Sequence, residues 1–146
     1  MSGLRIVLRI ALGLFLGAAG VLHLTTLREE FQAQVPSWFP VDADLTVVVS
    51  GVVEVALGVA LLLAPAGRRR VVGLVVAAFF VAIFPGNVAQ YVEGTAAFGL
   101  DSDGARLTRL FFQPVLVVAA LWSCGWFGPA ERRAGRPDVH RPPASS

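Results

Sequence analysis

The fold is decided by residues 45–64, which read LTVVVSGVVEVALGVALLLA and carry a single charged side chain, Glu54. An apolar run of about 20 residues crosses the hydrocarbon core of a bilayer as one helix. Glu54 would lie near the bilayer midplane, where an ionised carboxylate costs about 2.5–3.5 kcal/mol on insertion scales. Acids at this depth have polar partners or serve a function, so Glu54 is the first candidate site residue.

Three further apolar runs of similar length occupy residues 6–24, 71–92 and 107–126. Only 15% of the chain is charged, against about 25% in soluble domains, and the mean hydropathy is +0.70. Small residues share one stripe of the first two runs, a pattern typical of helices that pack closely in lipid. We therefore predict an all-α protein whose residues 1–127 form a four-helix transmembrane bundle with up-down topology.

The distribution of the arginines predicts the orientation of this bundle. All 12 Lys and Arg residues are arginines, and nine of them lie at the N-terminus, in the turn at 68–70 and in the tail at 128–146. The positive-inside rule then places both termini in the cytoplasm and residues 32–38 and 94–103 outside. The tail is rich in Pro and Arg, which predicts disorder. We expect the lipid bilayer as a partner and no nucleic acid, because the arginine turn is only three residues long.

Each of the other three spans carries one polar side chain toward the predicted outer side, namely His23, Asn87 and Gln113. Together with Glu54 they are expected to line a polar pocket in the outer half of the bundle, where an acid and a histidine can share a proton. The alternative is a structural clamp in which Glu54 holds His23 and Asn87 through hydrogen bonds of about 0.6 kcal/mol each. The sequence leaves both interpretations open.

The same side chains limit the chemistry of the site. One His, one Glu and two amides lack the His and Cys ligands that zinc, copper or haem require, so no metal site is predicted. Cys124 is the only cysteine and cannot form an intramolecular disulfide. We identify no catalytic residue, no evident cofactor and no self-contained redox or hydrolytic centre, and the sequence leaves enzymatic activity undecided.

The first predicted outer loop combines aromatic side chains with Pro36 and Pro40, which prevent a continuous helix. Its aromatic residues favour an anchor at the membrane–water interface, and a lid over the bundle is the alternative. Arg109, near the outer end of the fourth span, is expected to extend outward to the membrane surface.

Three motifs recur in a characteristic order along the chain. They are a glycine-rich first span ending in His23-Leu24, the pattern Ser50-Gly51-x-x-Glu54-x-x-x-Gly58, and Phe84-Pro85-Gly86-Asn87. In this order, over about residues 3–126, they resemble the DoxX-like family of small bacterial integral membrane proteins.

The resemblance implies a multi-pass protein of the bacterial cytoplasmic membrane with His23, Glu54 and Asn87 at its site. The name of that family derives from a subunit associated with quinone-linked thiosulfate oxidation. A quinone is therefore a candidate ligand, and a partner oxidoreductase or other membrane subunits are candidate partners. Our hypothesis is a membrane subunit or binder of a small apolar molecule, quinone-like or lipid-like. The alternative is an assembly or scaffold protein of a membrane complex, with a purely structural clamp.

Overall fold

The computed structural model describes residues 2–94 and 102–128, and within them every regular element is helical. The elements in chain order are α1 (Gly3–Leu24), α2 (Arg28–Gln32), α3 (Ala43–Leu63), a 3₁₀ turn (Ala66–Arg68), α4 (Arg69–Glu93) and α5 (Asp103–Ser123). The four long helices are long and apolar enough to cross a membrane, which confirms the predicted all-α fold. The predicted disordered tail, apart from residue 128, and most of the second predicted outer loop lie outside the described residues.

The predicted spans match these helices to within a few residues, and the largest difference is at α5. This helix begins at Asp103, four residues before the predicted start at 107. The reason is a capping residue, since the Ser102 hydroxyl accepts a hydrogen bond of 3.2 Å from the backbone N–H of Ala105. A serine cap satisfies one of the N–H groups that would otherwise have no partner at a helix start.

The four long helices form a closed ring in the order α3, α1, α5, α4. The antiparallel direction of α1 and α3 follows from two glycine contacts: Gly13 packs on Gly58, and Gly20 packs on Gly51. A Cβ atom at Gly20 would lie only 2.6 Å from the carbonyl oxygen of Gly51. The two backbones are therefore in direct contact, as small residues allow in lipid.

The pair α4 and α5 is antiparallel for the same kind of reason. Gly73, near the start of α4, lies against Cys124 at the end of α5, whereas Asn87 near the end of α4 bonds Gln113 within α5. Sequential neighbours thus run in opposite directions throughout the ring, which confirms the up-down topology.

The apolar core fills only one half of the bundle, the half in which α1 begins. We call this the core half and the other half, in which α1 ends, the His23 half. The buried core residues are Leu12, Leu16, Leu57, Leu61, Val76, Ala77, Phe80, Ala120 and Cys124. The His23 half contains most of the buried polar side chains instead.

One buried charge belongs to the core half. Arg9 is 6% exposed, and its Nη1 donates a hydrogen bond of 2.9 Å to the carbonyl oxygen of Leu61. That carbonyl has no partner inside α3, because the residue four positions later is Pro65, which has no N–H. Arg9 therefore completes the end of α3, in addition to its predicted role in orientation.

Candidate functional site

A cavity of about 670 Å³ lies in the His23 half, between the four long helices and the segment 31–41. Its volume is within the range of about 300–1,000 Å³ that is usual for small-molecule sites. All four predicted site residues line it, and all are buried: His23, Glu54, Asn87 and Gln113. The structure thus brings together the side chains that the sequence singled out on four different helices.

His23 and Glu54 are the most closely placed charged or titratable pair of the cavity. His23 Nδ1 lies 2.8 Å from the carbonyl oxygen of Ala19, which can only accept, so Nδ1 carries a proton directed at that oxygen. Glu54 Oε2 lies 3.0 Å from the same nitrogen, within ion-pair distance. It nevertheless has no hydrogen bond, although it is buried. The distance between Nδ1 and Oε2 is short, but it does not correspond to a hydrogen bond. Glu54 Oε2 is therefore a hydrogen-bond acceptor without a donor.

The imidazole ring of His23 also contacts the segment that covers the cavity. Phe31 stacks on it with ring centroids 3.3 Å apart and an angle of 17° between the planes. A stacked ring and a backbone hydrogen bond together leave the imidazole little freedom. Glu54 consequently faces a histidine of fixed orientation.

Asn87 and Gln113 form a second, separate pair. Asn87 Nδ2 donates to Gln113 Oε1 at 3.0 Å, and Gln113 Nε2 donates to the carbonyl oxygen of Phe80 at 2.8 Å. The clamp considered for the sequence, in which Glu54 holds Asn87, is therefore wrong in its pairing. The cause is geometric: α4 packs closely along α5, so the amide of α4 meets the amide of α5 first.

The segment 31–41 is a lid on the cavity, which the sequence offered only as an alternative. Its residues Phe31, Gln34, Val35, Pro36, Trp38, Phe39 and Val41 all line the cavity. The segment is tied to α4 through Ser37 Oγ, which donates to Glu93 Oε1 at 2.9 Å. Before the lid, Arg28 pairs with Asp44 at the start of α3. Trp38 is 69% exposed, as an interfacial anchor would be, so the lid also keeps the predicted anchoring residues at the surface.

Gly86 explains how the lid reaches α4. A Cβ atom at this position would lie 2.5 Å from the carbonyl oxygen of Gln34. Only glycine allows the backbone of the lid to approach the helix so closely. The motif Phe84-Pro85-Gly86-Asn87 therefore has two roles. Gly86 is where the lid contacts α4, and Asn87 supplies an amide to the cavity wall.

Three polar residues of the His23 half, or their contacts, were missed by sequence reasoning. Gln90 is 1% exposed, and Arg109 Nη1 donates to its Oε1 at 3.4 Å. Arg109 lines the cavity and bonds Gln90, a contact that the sequence did not predict, and its extension to the membrane surface stays a prediction. The spacing gave a signal in both cases, because Gln90 follows Asn87 by three residues and Arg109 precedes Gln113 by four, which places each pair on one helix face.

Gln34 is the third such residue, and it lies in the lid. Gln34 lines the cavity, and its Nε2 is buried and has no hydrogen bond. No periodic pattern points to Gln34, since it lies outside the long helices.

Several residues of the cavity wall are also exposed on the lateral surface of the bundle. Among them, Phe15 of α1 is 49% and Phe112 of α5 is 53% exposed. On the opposite side, Val49 and Val53 of α3 are exposed wall residues too. All of these residues lie inside helices long and apolar enough to span a membrane.

In residues 2–94 and 102–128, no three His, Cys, Asp or Glu side chains lie close enough together to hold a metal ion. What the site offers is hydrogen bonding from a few polar groups within apolar walls. Such a combination can hold and orient a small molecule.

Comparison with known proteins places the chain in a family without giving it an activity. No curated protein and no solved structure matches the sequence significantly. One family model, described as Domain of unknown function (DUF8561), matches residues 12–124, a segment that includes the lid and all four predicted site residues. The chain belongs to this family, DUF8561.

Proposed function

We propose that this protein binds a small apolar molecule, quinone-like or lipid-like, in the cavity of the His23 half. The observation that carries the proposal is the combination of a cavity of about 670 Å³ with a buried Glu54 oxygen that no donor satisfies. A buried carboxyl oxygen without a hydrogen bond is destabilising and therefore calls for an explanation, which a bound ligand would supply.

Exposed apolar wall residues support access from the bilayer. Phe15, Phe112 and Val53 line the cavity and are also exposed on the bundle surface, and none of these side chains is polar. A molecule dissolved in the lipid chains can enter sideways without passing the lid. A water-soluble substrate would have to enter past Trp38 and the lid, which is tied to α3 through Gln32 and to α4 through Ser37.

The resemblance to DoxX-like proteins supports a place in the bacterial cytoplasmic membrane, with a partner oxidoreductase or other membrane subunits as companions. The residues that carry the resemblance, His23, Glu54 and Asn87, are also residues of the cavity wall. In this proposal the chain supplies the binding site, and any redox chemistry belongs to the ligand and to the partner.

A pair of neighbouring alanines tests the proposal. Ala19 lines the cavity, and Ala18 is exposed and does not line it. Ala19→Phe is expected to fill the space next to His23 and to reduce bound ligand at least tenfold, whereas Ala18→Phe should leave it unchanged. The measurement is native mass spectrometry of protein purified in lipid nanodiscs, with identification of co-purifying apolar molecules. Equal amounts of such molecules in both variants would contradict the proposal.

The alternative function, an assembly or scaffold protein, is favoured by one observation. The pair Asn87–Gln113 is satisfied within the protein and stabilises α4 against α5 without any ligand. Under this alternative the same purification yields a partner membrane protein and no small molecule, and Ala19→Phe leaves the partner bound.

The proposed orientation predicts which end of the bundle faces the outside. In a Cys124→Ala background, a cysteine at Thr26, at the His23 end, should react with an impermeant maleimide on intact cells. A cysteine at Gly67, in the turn between α3 and α4, should react only after the cells are permeabilised. Both positions are exposed, and nothing lies within 4 Å of a Cβ at Gly67, so neither substitution disturbs packing. The reverse labelling pattern would invert the assigned topology.

A further inference from the structure

Two residues that line the same cavity each have one buried polar atom without a hydrogen bond, and the two atoms are of opposite type. Glu54 Oε2 is an acceptor from α3, and Gln34 Nε2 is a donor from the lid. They differ in this respect from the amides of Asn87 and Gln113, which bond each other. Buried polar groups are satisfied in nearly all folded proteins, so the two atoms indicate what a ligand has to provide.

A hydroxyl group can provide both a donor for Glu54 and an acceptor for Gln34, since its one oxygen donates one hydrogen bond and accepts others. A ketone or an ether accepts only and would leave Glu54 without a donor. A carboxylate likewise accepts only, and an ammonium group would leave the Gln34 amide without an acceptor. The rest of the cavity wall is largely apolar, with Phe79, Phe80 and Leu116 among its residues, and suits a hydrocarbon body.

We propose that the ligand is a neutral, lipid-soluble alcohol or phenol, whose O–H donates to Glu54 Oε2 and whose oxygen accepts from Gln34 Nε2. The hydrocarbon part lies along the apolar wall and leaves the bundle between helices. This inference rests on the proposed function and names the chemical class of its ligand.

The test compares two probes that differ by one hydrogen-bond donor, para-nonylphenol and its methyl ether para-nonylanisole. Binding to the protein in nanodiscs is measured by native mass spectrometry. Probe concentrations are expressed per volume of lipid, so that a difference in partitioning between the two probes does not affect the comparison of their affinities. The wild type is expected to bind the phenol about tenfold more tightly than the ether, the usual scale for one well-placed hydrogen bond to a carboxylate.

Two variants assign the two hydrogen bonds separately. Glu54→Leu should remove the preference for the phenol, because the acceptor of the O–H is gone. Gln34→Leu should weaken the phenol and the ether by a similar factor and keep the preference, because both probes retain the oxygen that accepts from Gln34. A purely structural role of Glu54 would weaken both probes alike and would not change their ratio, and unchanged affinities of both probes in Gln34→Leu would remove Gln34 from the site.

The outcomes separate this inference from the proposed function. Equal binding of phenol and ether by the wild type, abolished by Ala19→Phe, would overturn the hydroxyl assignment and leave the apolar site standing. A preference that survives in Glu54→Leu would also overturn the assignment. Binding of neither probe would overturn the hydroxyl assignment, and binding that Ala19→Phe does not change would overturn the proposed function itself. The wild-type comparison requires no variant and is therefore decisive even if Glu54→Leu does not fold.

Discussion

Gly20→Ala is expected to destabilise the protein by about 1–3 kcal/mol, the usual cost of forcing extra atoms into a packed interface. The new Cβ would lie 2.6 Å from the carbonyl oxygen of Gly51 and 2.8 Å from the backbone nitrogen of Val55. Both obstacles are backbone atoms, which cannot turn aside as a side chain can, so α1 and α3 must move apart. We expect a lower melting temperature in a thermal unfolding experiment on purified protein.

Gly17→Ala is the matched control, because it makes the same change three residues earlier on the same helix. A Cβ at Gly17 has no neighbour within 4 Å, and alanine is a better helix former than glycine by about 0.8–1.0 kcal/mol. This variant should therefore melt at the same temperature as the wild type or higher. Equal destabilisation by both substitutions would mean that α1 and α3 do not pack through their glycines.

Glu54→Leu is expected to weaken binding of the phenol about tenfold and to keep or raise the stability of the fold. The substitution removes a buried oxygen that has no hydrogen bond, a group that costs about 1–3 kcal/mol when unsatisfied. His23 keeps its bond to Ala19 and its stacking on Phe31, so the imidazole is not left without partners. Binding and thermal unfolding measured on the same preparation separate the two effects.

The stability of the Glu54→Leu variant distinguishes the ligand-binding site from the structural clamp. If His23 and Glu54 formed a tight buried ion pair, removal of one partner would leave an unpaired charge and lower stability by about 3–5 kcal/mol. A loss of that size in Glu54→Leu, with binding unchanged, would contradict the proposed site. Glu54→Gln is the near-isosteric companion and should fold as well as the wild type, because an amide still offers an oxygen acceptor.

The fold was predictable because its signals are strong and local. Runs such as 45–64 are too long and too apolar for a soluble helix, and the stripe through Gly13 and Gly20 marks the face that meets α3. The burial of His23, Glu54, Asn87 and Gln113 followed from the same reasoning, since a polar side chain on the packing face cannot lie in lipid. Only the cap at Ser102 shifted a helix boundary appreciably.

The pairing of these side chains was not predictable, because it depends on which helices are neighbours. Two polar residues on inward faces can meet only if their helices adjoin at the same depth, and a single sequence gives neither fact. The role of Gln34 could not be predicted from the sequence for a further reason. Its position depends on the path of the lid, which is set by tertiary contacts at Gly86 and Glu93.

The ring of helices has a consequence for how the protein is made. The closest packing joins helices that are neighbours in the chain, α1 with α3 and α4 with α5, and contacts between the two pairs are fewer. During synthesis the first pair can close its glycine contacts before the second pair has left the ribosome, because nothing in that interface depends on α4 or α5. The cavity exists only after the two hairpins have joined. A bound lipid-soluble molecule would therefore act as an assembly factor for its own site, favouring the joined state over the separate hairpins by the free energy of its binding.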